Sequence, residues 1–276
     1  MNISVVVATH ADPLGLYLTV YALLQQLQSS QLEWEIVIAA DGGTPVKWEK
    51  LPRTRCLRIS TGSPQGTRDA GIRAARYPLI LCVESHVVVS NIEKWIKLHR
   101  AFGATISFPA RVGETSELFT VNNTETDWDG DLWIKYHLSN KPECHRVAQF
   151  GNAAFMLDKD WYEKYGGYTL EQKGWGGEEP YLCLKAWMTG KECWVFPEIE
   201  MAHYLKPGAH IDYKQSPDYI RNMDIVRYVM SGSIPPRGRV LPLTPVLQKE
   251  RQQIIDGPFL GHLNLLREYF KKEGIS

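Results

Sequence analysis

Glu84, Ser85 and His86 follow directly on the apolar run Leu79-Ile80-Leu81-Cys82-Val83. A carboxylate, a hydroxyl and an imidazole therefore end a stretch whose length suits a strand buried on both faces in a parallel sheet. Open α/β sheets place their ligands at the carboxyl ends of such strands. Glu84 and His86 are two positions apart, so an extended segment points both side chains the same way. A carboxylate and an imidazole converging on one spot suit a divalent metal. For E-x-H taken alone, a solvated polar strand end is the competing reading, and the surrounding elements must decide.

Those elements form an ordered frame. Ile3–Ala8 is a continuous β-rich run that ends in the polar turn Thr9-His10-Ala11-Asp12-Pro13. Leu14 to Leu27 follows with helical spacing, with Leu16, Val20, Leu23, Leu24 and Leu27 on one face. Pro13 stands near the helix start, where its missing N–H is harmless. Glu35–Ala40 is a second strand ending at Asp41-Gly42-Gly43, and Leu57–Ser60 a third, weaker one. The turn Gly62-Ser63-Pro64 leads into a helix through Arg68, Gly71 and Ala75. This β-α-β-β-α-β order predicts a mainly parallel, nucleotide-binding α/β half with polar loops at the strands' carboxyl ends.

Beyond the Glu84–His86 strand the pattern predicts a helix over Asn91–Phe102, a strand over Ala104–Phe108, and an antiparallel, loop-rich layer over 109–149. Trp128, Trp133 and Tyr136 form an aromatic cluster in that layer. Phe150–Leu157 reads as a strand, and Lys159–Tyr165 as a short helix closed by Gly166-Gly167. Gly174-Trp175-Gly176-Gly177-Glu178-Glu179 is a glycine-rich lead into a helix over Pro180–Met188. Glu192–Phe196 is a strand, followed by Met201-Ala202-His203-Tyr204. Leu205–Pro217 is a loop placed to close over a ligand; His210 and Tyr213 are candidate contacts from it. A helix over Asp218–Met230, a Pro/Gly-rich linker and two amphipathic helices (Pro245–Ile255 and Pro258–Lys272) complete the chain. The expected division is a catalytic domain over 1–230 and a helical extension over 231–276. Leu260, Leu263, Leu266 and Phe270 are free either to pack on the core or to form a homodimer.

Composition narrows the classes. The chain has 276 residues, 31 Lys+Arg against 31 Asp+Glu, and so no net field to draw it to nucleic acid or an anionic membrane. No apolar run approaches the roughly 18–20 residues that cross a bilayer. The first residues read as a strand rather than a signal peptide. Five cysteines, widely spaced and without a C-x-x-C pair, suit reduced thiols in a cytoplasmic protein. Nine tryptophans and thirteen tyrosines offer flat, hydrogen-bonding surfaces for sugars or bases.

Six segments occur in a fixed order: Ser4–Asp12, Glu35–Asp41, Gly66-Thr67-Arg68-Asp69-Ala70-Gly71, Glu84-Ser85-His86, Gly174–Glu178 and Ala202–Lys206. Together they resemble nucleotide-sugar-dependent glycosyltransferases of the GT-A fold, above all the polypeptide N-acetylgalactosaminyltransferases and their bacterial or phage relatives. The resemblance implies a UDP-sugar donor and Mn²⁺ or Mg²⁺. By that likeness Ala8, Thr9 and His10 line the nucleotide, Asp41 receives the uracil edge, Arg68 faces the donor, and Ser85 and Gly177 belong to the same donor-binding set. Glu84 and His86 resemble the family's D-x-H metal pair, with Glu in place of Asp, and His203 resembles the distant histidine that completes it. Two imidazoles and a carboxylate suit a transition metal better than an all-oxygen cage does. Trp175-Gly176-Gly177-Glu178 resembles the W-G-G-E loop, whose glycines let the backbone approach the sugar and whose Glu178 holds a sugar hydroxyl or the acceptor. In inverting relatives a carboxylate near this loop is the general base, and Glu179 is adjacent. The W-G-G-E form itself resembles retaining enzymes.

The acceptor stays open between a hydroxymethylated pyrimidine of phage DNA, a protein Ser/Thr and a glycan. Residues 206–276 hold 11 Lys/Arg against 7 Asp/Glu, and Arg221, Arg227, Arg237 and Arg239 are candidate phosphate contacts. A solvated helix surface explains the same residues. A sugar-nucleotide-binding module without turnover, and an inverting enzyme of polysaccharide synthesis, are the alternative functions.

Overall fold

A computed structural model describes residues 1–42, 48–112, 121–128, 134–139, 141–149, 153–204, 216–233 and 241–275. In chain order the strands are β1 (Asn2–His10), β2 (Glu33–Asp41), β3 (Thr54–Ile59), β4 (Leu79–Glu84), β5 (Val87–Val89), β6 (Ile106–Val112), β7 (Val121–Trp128), β8 (Ile134–Ser139), β9 (His145–Arg146), β10 (Ala154–Asp158) and β11 (Cys193–His203). The helices are α1 (Pro13–Gln28), α2 (Pro64–Ala74), α3 (Ile92–Ala101), α4 (Lys159–Lys164), α5 (Glu178–Met188), α6 (Pro217–Ser231), α7 (Pro245–Ile255) and α8 (Leu263–Glu273).

One mixed sheet runs β3-β2-β1-β4-β10-β6-β11-β5. Its first four strands are parallel, as the βαβ pattern requires. β10 then runs antiparallel to both β4 and β6, and β11 parallel to β6. β7 and β8 form the antiparallel layer expected of 109–149. Residues of β1 alternate between the two faces: Ile3, Val5 and Val7 pack with α1 and α3, whereas Val6 joins the opposite core with α5 and α6.

Several boundaries differ from expectation for local reasons. The segment around His203 is not separate from Glu192–Phe196; β11 continues through both, with a register shift between Phe196 and Glu200. Pro197 lies inside that shift, where a residue lacking an N–H is tolerated. The last helix starts at Leu263 rather than Pro258, because Leu260 and Gly261 both have positive φ, 50° and 69°. The expected strand over Phe150–Leu157 is Ala154–Asp158, and residues 150–152 lie outside the described set. Also outside it are Trp133, the side chains of Trp128 and Tyr136, most of the Leu205–Pro217 loop with His210 and Tyr213, and Arg237 and Arg239.

Leu263, Leu266 and Phe270 of α8, with Leu247 and Ile254 of α7, are buried in the same apolar cluster as Val6 and Phe155 of the sheet. Phe270 meets Trp187 of α5 edge-on at 4.9 Å. Arg146 ties α8 down, with Nη1 donating to Tyr269 Oη and Nη2 to Glu273 Oε2. Among the described residues no helix is long and apolar enough to cross a membrane.

Candidate active site

The carboxyl ends of β1, β2 and β4 meet at one side of the sheet: Ala8 pairs with Glu84, and His10 with Asp41. Directly after Glu84 the chain turns into β5, which sequence reasoning missed because three valines carry little periodicity. β5 pairs antiparallel with the end of β11, setting His203 opposite Val87, and the Tyr204 amide donates to His86 O at 3.0 Å. This pairing carries His203 across 117 positions of sequence to His86. Glu84 Oε2 lies 3.3 Å from Nε2 of His86 and 3.3 Å from Nε2 of His203. The two rings stack at a centroid distance of 4.9 Å.

One ligand atom from each of Glu84, His86 and His203 falls within 4.8 Å of the others. Neighbouring ligands bonded at about 2.1 Å to a six-coordinate cation lie roughly 3 Å apart, so these donors fit one divalent ion. Two imidazole nitrogens and one carboxylate suit Mn²⁺ better than an oxygen-seeking ion. Burial pushes the Glu84 carboxyl upward, but the His203 and His86 imidazoles and the Arg68 charge outweigh it and hold Glu84 well below the usual carboxylate range. The other Glu84 oxygen, Oε1, accepts from the Arg68 guanidinium.

Arg68 is 2% exposed, with Nη1 also 3.8 Å from Glu178 Oε1. It therefore lies between two carboxylates at the base of a cleft that Ala8, Thr9, His10, Asp41 and Trp175 also line. Arg68 lines the cleft and pairs with Glu84 within the protein. Ser85 is likewise inward, 3% exposed and donating to Asp12 Oδ2 at 3.1 Å. Asp41 accepts from Thr61 N, Thr61 Oγ1, Gly62 N and Thr67 Oγ1 at 2.8–3.3 Å. A carboxylate offers about four lone-pair sites. The Asp41 carboxylate thus braces the 61–67 loop beside the cleft that it also lines.

The glycine-rich loop also has a reason the sequence did not disclose. Gly174, Gly176 and Gly177 have φ of 55°, 98° and 81°, a region that side-chain-bearing residues avoid. A Cβ on Gly176 would lie 2.1 Å from Tyr219 Cδ2 of α6. Asn222 of α6 donates through Nδ2 to Lys173 O at 2.6 Å and Gly176 O at 2.9 Å, and accepts from Lys173 N at 3.0 Å. These glycines let the loop sit on α6. Trp175 projects from the loop, 56% exposed, at the cleft rim.

Glu178, expected to hold a sugar hydroxyl or the acceptor, is 1% exposed, and its Oε2 accepts from Gln65 Nε2 at 3.0 Å. Gln65, which no sequence signal marked, also donates to Gly176 O at 3.3 Å. Glu178 is therefore one layer below the cleft surface, tied to Arg68 and Gln65. Burial raises its carboxyl above the ordinary range despite the opposing pull of Arg68. Burial, reinforced by the Glu178 charge, pushes the neighbouring Glu179 up to about 8.

Several polypeptide N-acetylgalactosaminyltransferases are similar in sequence. Polypeptide N-acetylgalactosaminyltransferase 8 of Drosophila melanogaster is 24% identical over 229 residues, covering 75% of this chain and 38% of the relative. Polypeptide N-acetylgalactosaminyltransferase 14 of Homo sapiens is 24% identical over 177 residues, 57% of this chain and 31% of the relative. The chain thus spans well under two thirds of the length of these curated relatives. The crystal structure of GalNAc-T7 with UDP, GalNAc and Mn²⁺ superposes with a TM-score of 0.78 at 16% identity, over 99% of this chain and 57% of that one. S. aureus TarS gives 0.58 at 12% identity, over 98% and 44%. These likenesses are of fold, and the fold is the GT-A fold that the ordered segments implied. A family profile described as Glycosyl transferase family 2 matches residues 4–166, more than half of the sequence, and the chain belongs to that family.

Proposed function

We propose that this chain transfers a sugar of the GalNAc, GlcNAc or Glc type from a UDP-sugar to an acceptor hydroxyl, with a divalent metal and with retention at the anomeric carbon. The observation that carries this reading is the convergence of Glu84, His86 and His203, from two distant stretches of chain, beside a cleft at the carboxyl ends of β1, β2 and β4. Glu84, His86 and His203 would hold Mn²⁺ or Mg²⁺. When bound, the cation supplies positive charge against the negative charge that develops on a leaving diphosphate, without proton transfer.

The chain's own residues bind and orient. Thr9 and His10, at the end of β1, and the 61–67 loop braced by Asp41 form the cleft wall where a nucleotide would lie. Arg68 holds Glu84 in place through one oxygen and leaves the other toward the imidazoles. Trp175 offers an exposed aromatic face at the rim, suited to a sugar ring. Retention draws support from the state of the carboxylates. Among the described cleft-lining residues, Asp41 is bonded to its loop and Glu84 to Arg68. Glu179 is not among the residues that line the cleft, and burial with the Glu178 charge raises its carboxyl. The leaving phosphate is then the group that takes the acceptor's proton.

Of the three acceptor hydroxyls left open, the relatives' names favour a protein Ser/Thr. Labelled UDP-GalNAc, UDP-GlcNAc and UDP-Glc, each offered with Ser/Thr peptides, glycans and hydroxymethylated DNA, test the assignment. Label in peptide, linked through the donor's own anomeric configuration, is the expected result. An inverted linkage would remove the retaining assignment, and donor left intact with every acceptor would overturn the enzymatic reading.

A further inference from the structure

We propose that Asp12 is a positioning residue whose carboxylate sets the His86 ring so that Nε2 faces the metal position; this rests on the metal-binding reading above. Asp12 stands between β1 and α1, 9% exposed. Its Oδ1 accepts the Gly15 amide at 3.2 Å and caps α1. Its Oδ2 accepts the Ser85 hydroxyl at 3.1 Å and lies 3.2 Å from His86 Nδ1. Gly15 makes this approach feasible, since a Cβ there would sit 2.4 Å from Asp12 Oδ2 and 2.7 Å from Ser85 O. Farther along α1, Thr19 Oγ1 donates to Val87 O at 2.8 Å and accepts from Val87 N at 3.1 Å. The N-cap of α1 and the helix itself therefore bracket His86, Asp12 at the ring and Thr19 at the next peptide.

The chemistry follows from the donor inventory. An ionised carboxylate only accepts hydrogen bonds, so His86 Nδ1 donates to Asp12. In its neutral, ligating form His86 then carries its lone pair on Nε2, the atom 3.3 Å from Glu84 Oε2. Ligating histidines generally have their second nitrogen fixed in this way, and removing the partner weakens metal affinity about 10–100-fold. Ser85 falls into the same layer, its hydroxyl holding Asp12.

Asp12→Asn separates this role from simple helix capping. Asn caps helices as well as Asp does, but its amide group must direct NH₂ either at the Gly15 N–H or at His86 Nδ1. The second orientation moves the His86 proton to Nε2. The expected results are Mn²⁺ affinity reduced about 10–100-fold by calorimetry, and a His86 ¹⁵N pattern at pH 8, without metal, that changes from the Nδ1–H to the Nε2–H tautomer. The melting temperature of the metal-free protein should hold. Gly15→Ala, which crowds Asp12, should weaken Mn²⁺ in the same direction. Unchanged affinity together with an unchanged tautomer in Asp12→Asn would overturn the proposal. If wild type itself fails to bind Mn²⁺, the metal reading fails, and the metal-free ¹⁵N pattern still decides whether Asp12 sets the ring.

Discussion

Glu84 divides its two oxygens between different partners, Oε1 to Arg68 and Oε2 to the paired imidazoles. The longer Glu side chain, a departure from the Asp of the resembled pattern, still reaches both. Arg68 in turn is the buried cation between Glu84 and Glu178, whose side chains are 13% and 2% exposed. Removing one member of such a set leaves buried charge uncompensated and costs about 3–5 kcal/mol. Arg68→Met should lower unfolding free energy in urea by that order; a loss below about 1 kcal/mol would place Arg68 outside the packing of the site. A second buried acid gives a pH signature. Glu35, 4% exposed, accepts from Ser4 Oγ at 2.7 Å and Arg76 N at 2.6 Å. Burial pushes its carboxyl up, but the Ser4, Arg76 and Arg55 hydrogen bonds bring it below the ordinary value. A carboxylate depressed on folding stabilises fully above its unfolded pKa of about 4.3, and loses that contribution as pH falls through the lower folded value. Glu35→Gln should therefore flatten the decline in melting temperature below about pH 4. At this scale the residue types Glu84, His86 and His203 were legible in the sequence. Asp12 and Gln65 were not, because their partners lie 74 and 113 positions away and single polar residues in loops carry no periodic signal.

At the scale of elements, the parallel half was readable because β1, β2 and β4 are continuous apolar runs and α1 has a clean buried stripe. The glycine-rich loop was readable as a loop, but its purpose was not. The requirement for glycine comes from α6, on which Tyr219 and Asn222 receive the loop's backbone. Gly176→Ala should therefore cost about 1–3 kcal/mol from the φ of 98° alone, and more from collision with the Tyr219 ring. Adding Tyr219→Ala should remove the collision but not the backbone strain, so the double variant should not return to the stability of Tyr219→Ala by itself. Thermal unfolding of the three variants reads this directly. A Gly176→Ala protein as stable as wild type would mean that the loop does not rest on α6.

For the whole molecule, the two helices after the Pro/Gly-rich linker pack on the core that precedes it. Leu247, Ile254, Leu266 and Phe270 share one apolar cluster with β1, β10 and α5. Amphipathic spacing revealed that α7 and α8 have a buried face, and only the fold reveals what they cover. A 1–230 fragment should expose that cluster, bind hydrophobic dyes and unfold without a cooperative transition. A fragment that melts as sharply as the full chain would show 231–276 to be dispensable. Glu84, His86 and His203 are proposed above to form a metal site serving sugar transfer from a UDP-sugar. UDP-sugar hydrolysis by wild type, His86→Ala and His203→Ala, each with and without Mn²⁺, decides it. Turnover in wild type should depend on Mn²⁺ and fall at least about 100-fold in both variants, beyond what a change outside the ligands produces. Equal turnover in all three proteins, with or without Mn²⁺, would contradict it.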